Sequence, residues 1–267
     1  MDTMIILYGA YALIGIAAGL LGGLLGIGGG VVTVPCLYLI FKAYQIEMPG
    51  VVMHVAIGTS LAAMIFNTLA ATYSHHQRKA VQWPLFKKMV LGLGLGSIVG
   101  PFMADVLSGV FLEIFFGIFL LVLAWYFWRQ KPAGVSKHAM PSQKGLFFWS
   151  SGIGVLANLL GIAGGTLVVP FLTSVRVPER QAIGTAAATS LLVTVVGGIF
   201  YLFLGLGETS YPMNVGFINL PAFAVLAVTS FIAAPFGAKL THSLPVDTVK
   251  RVFAIVLALT GILMLFR

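Results

Sequence analysis

The chain has 267 residues, of which 59% are hydrophobic and only 8% charged, and its mean hydropathy is +1.04. A soluble domain carries about 25% charged residues, so a water-exposed globule is excluded and the class is an integral membrane protein built of helices. The net charge of +8 lies in short loops between apolar runs, where it sets orientation rather than forming a nucleic-acid-binding face.

A transmembrane β-barrel would need alternating polar and apolar residues, and none are seen. The first apolar run, Met4 to Leu25, is long enough to span and lacks the basic stretch that precedes a cleaved signal, so it is read as retained. It runs into "GIGGGVVTVP", Gly26 to Pro35. Each glycine costs a helix about 1 kcal/mol relative to alanine, so a run this dense predicts a helix break. Cys36 follows, alone in the chain, which excludes an internal disulfide and suits a small core residue.

In chain order, each half carries four apolar segments. Segment A, interrupted at the glycines, covers 4–44 and again 145–175. Segment B covers 51–74 and 181–204, segment C 85–103 and 215–238, and segment D 111–127 and 249–266. Two homologous halves are therefore expected, 1–129 and 144–267, joined by a polar linker at 130–143 that contains Lys131, Pro132, Gly134 and Pro141. The pairing rests on three matches in the same order. "LLGIGGGVVTVP" (24–35) aligns with "LLGIAGGTLVVP" (159–170), identical at eight of twelve positions; "AIGTS" (56–60) aligns with "AIGTA" (182–186), and "GPFMA" (100–104) with "APFGA" (234–238).

The Lys/Arg bias of the loops reverses between halves. The first B–C loop holds Arg78, Lys79, Lys87 and Lys88, whereas its counterpart holds Glu208 and no base; the first C–D loop holds Asp105, its counterpart Lys239, Lys250 and Arg251. Basic loops stay cytoplasmic. The expectation is an inverted repeat with a cytoplasmic linker, each half a glycine-broken helix pair plus three spanning helices, an arrangement that puts a binding site between the repeats.

A helix that restarts inside a membrane presents free N–H groups and the positive end of its dipole, and this suits an anion. Gly28, Gly29 and Gly30 in the first half, and Gly164 and Gly165 in the second, are the candidate backbone contacts, with Thr33 and Thr166 as nearby hydroxyls. Segment B adds Thr59, Ser60, Thr185, Thr189 and Ser190, and the amides Asn67 and Asn158 need partners across helices or in a ligand. A hydroxyl on a helix also bonds back to its own turn, which is the plainer role for the threonines. Gly92, Gly96 and Gly100 have small-xxx-small spacing and are read as packing, with Gly96→Ala expected to be mild.

His54 and Arg180 stand two residues before each AIG and are the candidate path-lining groups, His54 able to titrate near physiological pH. None of the seven carboxylates lies at mid-segment, where cation and proton carriers commonly hold one. His54, His75, His76, His138 and His242 have no metal-ligand spacing with Cys36 or a carboxylate. No cofactor, metal or catalytic residue is expected. A membrane-embedded enzyme or a metal importer is thereby disfavoured, and an anion transporter and a passive anion channel remain as the two readings.

The pattern "GIGGGVVTVP … HVAIGTS … YSHHQRKAVQW … GPFMADVL" resembles the TauE/SafE family of membrane proteins, sulfite exporters and organosulfonate carriers, and both halves match. Tyr73 to Trp83 looks like the family's Tyr-x-His-x-x-Arg loop, with His75 at its histidine and with Lys79, Ala80 and Gln82 departing from it. The resemblance implies a multi-pass protein of a bacterial plasma (inner) membrane that moves sulfite or an organosulfonate such as sulfoacetate. Its partners would be that anion and lipid, with a homodimer suggested by the glycine-rich faces.

Overall fold

The computed structural model describes residues 2–46, 50–129, 139–209, 211–240 and 246–266. The linker tract 130–138 lies outside them. Ten helices follow one another among the described residues: α1 Asp2–Leu25, α2 Gly30–Ala43, α3 Val52–Gln77, α4 Trp83–Asp105, α5 Gly109–Arg129, α6 Gln143–Leu159, α7 Gly165–Ser174, α8 Glu179–Leu204, α9 Leu220–Leu240 and α10 Val246–Leu265. Most boundaries fall within two or three residues of those read from sequence.

Among the described residues, six helices are long and apolar enough to cross a membrane: Met4–Leu25 of α1, then α3, α4, α5, α8 and α9. Four of these lie in the first half, with α1 of the broken pair among them, and two in the second. After its broken pair each half has three long helices, α3, α4 and α5 in the first and α8, α9 and α10 in the second; α10 has 20 residues, with its described apolar stretch at Arg251–Leu265. α7, with 10 residues, is too short to cross at about 1.5 Å per residue. Leu13, Leu91, Val122, Phe148, Ile232 and Leu263 point outward from the bundle, as lipid-facing side chains do.

Two further corrections concern element ends. Segment C of the second half does not begin at Val215: residues 214–219 form an antiparallel hairpin of β1 Asn214–Val215 and β2 Ile218–Asn219, turned at Gly216 with φ 55°. Its closing pair is Asn214 opposite Asn219, and the Asn219 amide donates to Asn214 Oδ1 at 2.9 Å. The stretch Tyr73 to Trp83 is not loop throughout either, since α3 continues to Gln77 and carries His75 and His76 in its last turn.

Small residues set the helix contacts. On α1, Gly15 abuts Leu226, Gly19 abuts Ser230 and Ala233, and Gly23 abuts Ala234 and Ala238, so α1 and α9 run parallel along a glycine seam. On α4, Gly92 meets Phe147 and Ser150, Gly96 meets Ser151, and Gly100 meets Val155 and Asn158, so α4 and α6 also run parallel. By the sequence match α6 is the counterpart of α1, and α9 of α4. Each half therefore lays its first helix on the third long segment of the other.

The remaining counterpart pairs meet antiparallel. Leu265 lies beside Gly117 and Leu121 beside Gly261, joining α5 to α10; Leu61 lies beside Gly197 and Thr68 beside Thr194, joining α3 to α8. α3 is the most enclosed of the long helices. Around it, Val55, Ile57, Leu61, Val193 and Ala186 are sealed from the surface.

Candidate functional site

The breaks form where the glycines permit left-handed backbone, at Gly26 (φ 69°), Gly28 (73°) and Gly29 (86°), and in the second copy at Gly161 (67°). Side chains rarely adopt such angles. Gly164, by contrast, has φ −53° and simply begins the helical turn.

The two breaks lock into one another at the buried centre. Gly165, first residue of α7, packs its Cα against the Gly26 carbonyl, and Gly30, first residue of α2, packs against the Gly161 carbonyl and Ile162. Gly28 packs against the Ala163 methyl. Both half-helices thus start on the carbonyl of the other half's break, where a methyl group would collide.

Their first turns are finished differently. In the second copy Gly165 N–H donates to Ser190 Oγ at 2.7 Å, and Thr166 N–H to Ala163 O at 3.3 Å. In the first copy the position equivalent to Ser190 is Met64, whose methyl lies against Gly30. Val32 and Thr33 N–H both go to Gly29 O, and Thr33 Oγ1 bonds back to the same carbonyl at 3.1 Å. The N–H groups of Gly165 and Thr166 are therefore already engaged within the protein.

Asn67 binds across helices: its Nδ2 donates to Gly28 O at 2.8 Å and to Ala18 O at 3.1 Å, fastening the break to α3. Its Oδ1 faces Gly22 without a hydrogen-bond donor. Asn158 donates to Gly154 O at 3.2 Å in its own helix, and its Oδ1 faces Gly197, again without a donor. Thr189 returns a bond to Ala186 O at 2.9 Å, the plain helical role.

The two AIGT motifs dock loops rather than opening to a cavity. Thr59 Oγ1 accepts the backbone N–H of Asn219 at 2.9 Å, and Thr185 Oγ1 accepts that of Gln82 at 2.9 Å. The preceding glycines make the room, Gly58 against Phe217 O and Gly184 against Ala80 O. Each motif holds the loop that precedes the third long segment of the opposite half. Sequence reasoning missed this because the partners are 160 and 103 residues away; the shared Gly-Thr pair was the available signal.

His54 and Arg180 differ in placement. His54 is buried, its ring tilted against that of Phe217 with centroids 5.4 Å apart, and its Nε2 is 3.0 Å from Ala104 O. Arg180 is exposed at the start of α8. Another pair was not anticipated. His75 Nε2 meets Gly23 O at 2.9 Å, and Tyr201, its counterpart, donates to Asn158 O at 3.1 Å, the carbonyl equivalent to that of Gly23. Each ties the last turn before a break to the helix behind it.

A family model described as "Sulfite exporter TauE/SafE" matches residues 11–264. Among curated sequences, a probable membrane transporter protein of Haemophilus influenzae is 30% identical over 263 residues, covering 96% of this chain and 97% of its own. One of Methanocaldococcus jannaschii is 27% identical, covering 95% and 93%. The Bacillus subtilis protein YunE, also described as a probable membrane transporter, is 25% identical, covering 93% of each chain. No solved structure matches. With the family model spanning nearly the whole chain and full-length relatives of the same kind, the protein belongs to the TauE/SafE family of membrane transporters.

Proposed function

We propose that the protein is a secondary transporter of a small sulfur-containing anion, sulfite or an organosulfonate such as sulfoacetate, bound between its two halves at the glycine breaks. The observation that carries this reading is the reciprocal seating of Gly165 on Gly26 and of Gly30 on Gly161 in a fully buried centre. A broken membrane helix is tolerated where protein or a water-filled cavity covers it, and transporters place their sites there.

In this reading the halves 1–129 and 144–267 form an inverted repeat about an axis through Thr68 and Thr194. The antiparallel pairing of α3 with α8 and of α5 with α10 supports it. With Gly165 and Thr166 N–H taken, the anion's backbone donors fall to the start of α2, at Gly30 and Val31. Arg180, always charged, draws the anion in at one mouth. The Gln82–Thr185 and Asn219–Thr59 contacts are both made here and seal loops of either half onto the centre, which favours a carrier over an open channel. The chain would work in a bacterial plasma membrane.

Purified protein in proteoliposomes tests the reading. Labelled sulfite or sulfoacetate uptake should saturate and be accelerated by the same anion preloaded inside. Flux that rises linearly with concentration and shows no counterflow overturns the carrier.

A further inference from the structure

We propose that the face between α6 and α7 holds one anionic phospholipid, with its phosphate headgroup in a basic cavity at the start of α6 and one acyl chain in the apolar groove beside it. Such a site depends on the membrane class of the chain and on nothing about its solute.

Two cavities meet at this face. The outer one, of about 420 Å³, lies where α4, α6 and α8 begin and α7 ends. Lys88 and Arg176 line it together with the side chains of Gln82, Gln143 and Gln181, and among the described residues no carboxylate does. The inner one, of about 790 Å³, is walled by apolar and aromatic side chains, among them Phe148, Trp149, Leu156, Leu167 and Phe171. Pro141 and Val175 border both, so the polar space adjoins the apolar one.

The groove exists because α7 is a half-helix. At about 1.5 Å per residue its 10 residues cover ~15 Å, half of a hydrocarbon core of about 30 Å. Along α6 the groove runs from Phe148 to Leu156, ~12 Å by the same rise. That is the depth of one leaflet, which an acyl chain fills and a spanning helix of a partner exceeds. Trp149 and Phe171, with ring centroids 5.6 Å apart, join its two walls. Gly152 lies between them on the same face, and nothing stands within 4 Å of the place a side chain would take there.

Charge selects the headgroup. Two cations and three amide side chains offer donors to phosphate oxygens, whereas a zwitterionic lipid brings a further cation to a cavity that already has two. Basic groups at a membrane surface attract anionic lipid by themselves; the cavity adds a recess next to a slot for the chain. By the match of Gly100 with Ala234, Lys88 corresponds to Ala222, a buried and uncharged position. The basic end has no copy at the start of α9, so the stoichiometry is one lipid.

The test is thermal unfolding of the purified protein in detergent micelles carrying rising fractions of phosphatidylglycerol, or of phosphatidylcholine with the same chains, or with glycerol 3-phosphate in the buffer. Phosphatidylglycerol is expected to raise Tm saturably above the other two. Lys88 is exposed in the first turns of α4, so Lys88→Gln is expected to fold and to raise the half-saturating phosphatidylglycerol fraction about fivefold, the loss of one charge at a membrane surface. Gly152→Phe fills the open groove and is expected to abolish the lipid effect while leaving Tm in phosphatidylcholine unchanged. Lys88→Gln decides alone should Gly152→Phe not fold. Equal Tm in the two lipids, or an unchanged phosphatidylglycerol titration in either folded variant, overturns the site. Stabilisation by glycerol 3-phosphate equal to that by the lipid assigns the cavity to a free anion and overturns it as well. So does a dimer, seen by size-exclusion chromatography without added lipid, that Gly152→Phe splits, since a second copy would then fill the groove.

Discussion

Thr68 and Thr194 meet hydroxyl to hydroxyl at 3.2 Å across the centre of the bundle, and they are counterparts, twelve residues after Ala56 and Ala182 of the matched motifs. In a two-fold repeat, equivalent residues touch only near the axis that relates the copies. In the inverted-repeat reading, that contact puts the axis at the α3–α8 crossing, within the same buried centre as the breaks.

The direction of that axis leads to a topology prediction. If it lies in the membrane plane, the linker and the loop after α8 are on opposite sides. Met140→Cys and Glu208→Cys, each in a Cys36→Ala background, are expected to label from opposite faces of intact cells; both positions are exposed. Labelling from the same face excludes the inversion.

Glycine substitutions separate the seams from open positions. A methyl at Gly165 collides with the Gly26 carbonyl, and one at Gly96 with Ser151 O, so both alanine variants should lose about 1–3 kcal/mol. The mild effect that sequence alone suggests for Gly96 therefore does not hold. Gly94, with open space around it in α4, should gain up to about 1 kcal/mol as alanine. Thermal unfolding in one detergent ranks the three.

The AIGT motifs make a site-specific prediction about exchange. Thr59→Val leaves the Asn219 amide without its acceptor, at a cost of about 1–3 kcal/mol. Amide hydrogen exchange should quicken at 214–219 and stay unchanged at 78–82, and Thr185→Val should do the reverse. Exchange that rises equally in both loops in either variant contradicts the separate docking of the two.

His54 and Arg180, equivalent in sequence, should behave differently. His54→Ala breaks a buried contact to Ala104 O and a ring contact to Phe217, and is expected to lower Tm. Arg180→Gln should leave Tm unchanged and weaken anion affinity, the difference shrinking as salt screens it. Its readout is the half-saturating anion concentration at low and high ionic strength.

Much of the architecture is legible in the sequence because its signals are local. The break is written in Gly26 to Gly30, and the pairing of its two copies in twelve aligned residues. The hairpin at 214–219 was hidden because "NVGFIN" continues an apolar run with no polar interruption beyond its asparagines. The contacts of the candidate residues were less legible than their positions. Thr59, Thr185 and Ser190 neither bond back to their own turn, the plainer role read from sequence, nor stand free; they accept backbone N–H groups more distant in the chain than any periodicity reports. The difference between Ser190 and Met64 acquires meaning only once Gly165 and Gly30 are seen in the same relation to each.

The crossing of first helices carries a consequence for how the protein is made. α1 is threaded into the membrane first, yet the surface it fits, Leu226 to Ala238 of α9, is synthesised almost last. Until then its glycine seam faces lipid or the insertion machinery. α6 by contrast finds α4 already in place. The chain therefore closes in one late event, with the second half completing itself on the first and only then capturing α1. A ribosome stalled before α9 should leave α1 accessible to crosslinking from its seam face at Gly15 and Gly19, while the α4–α6 seam is already shut. Two halves expressed as separate polypeptides should be unstable singly and recover together, since neither contains both sides of its own longest contact.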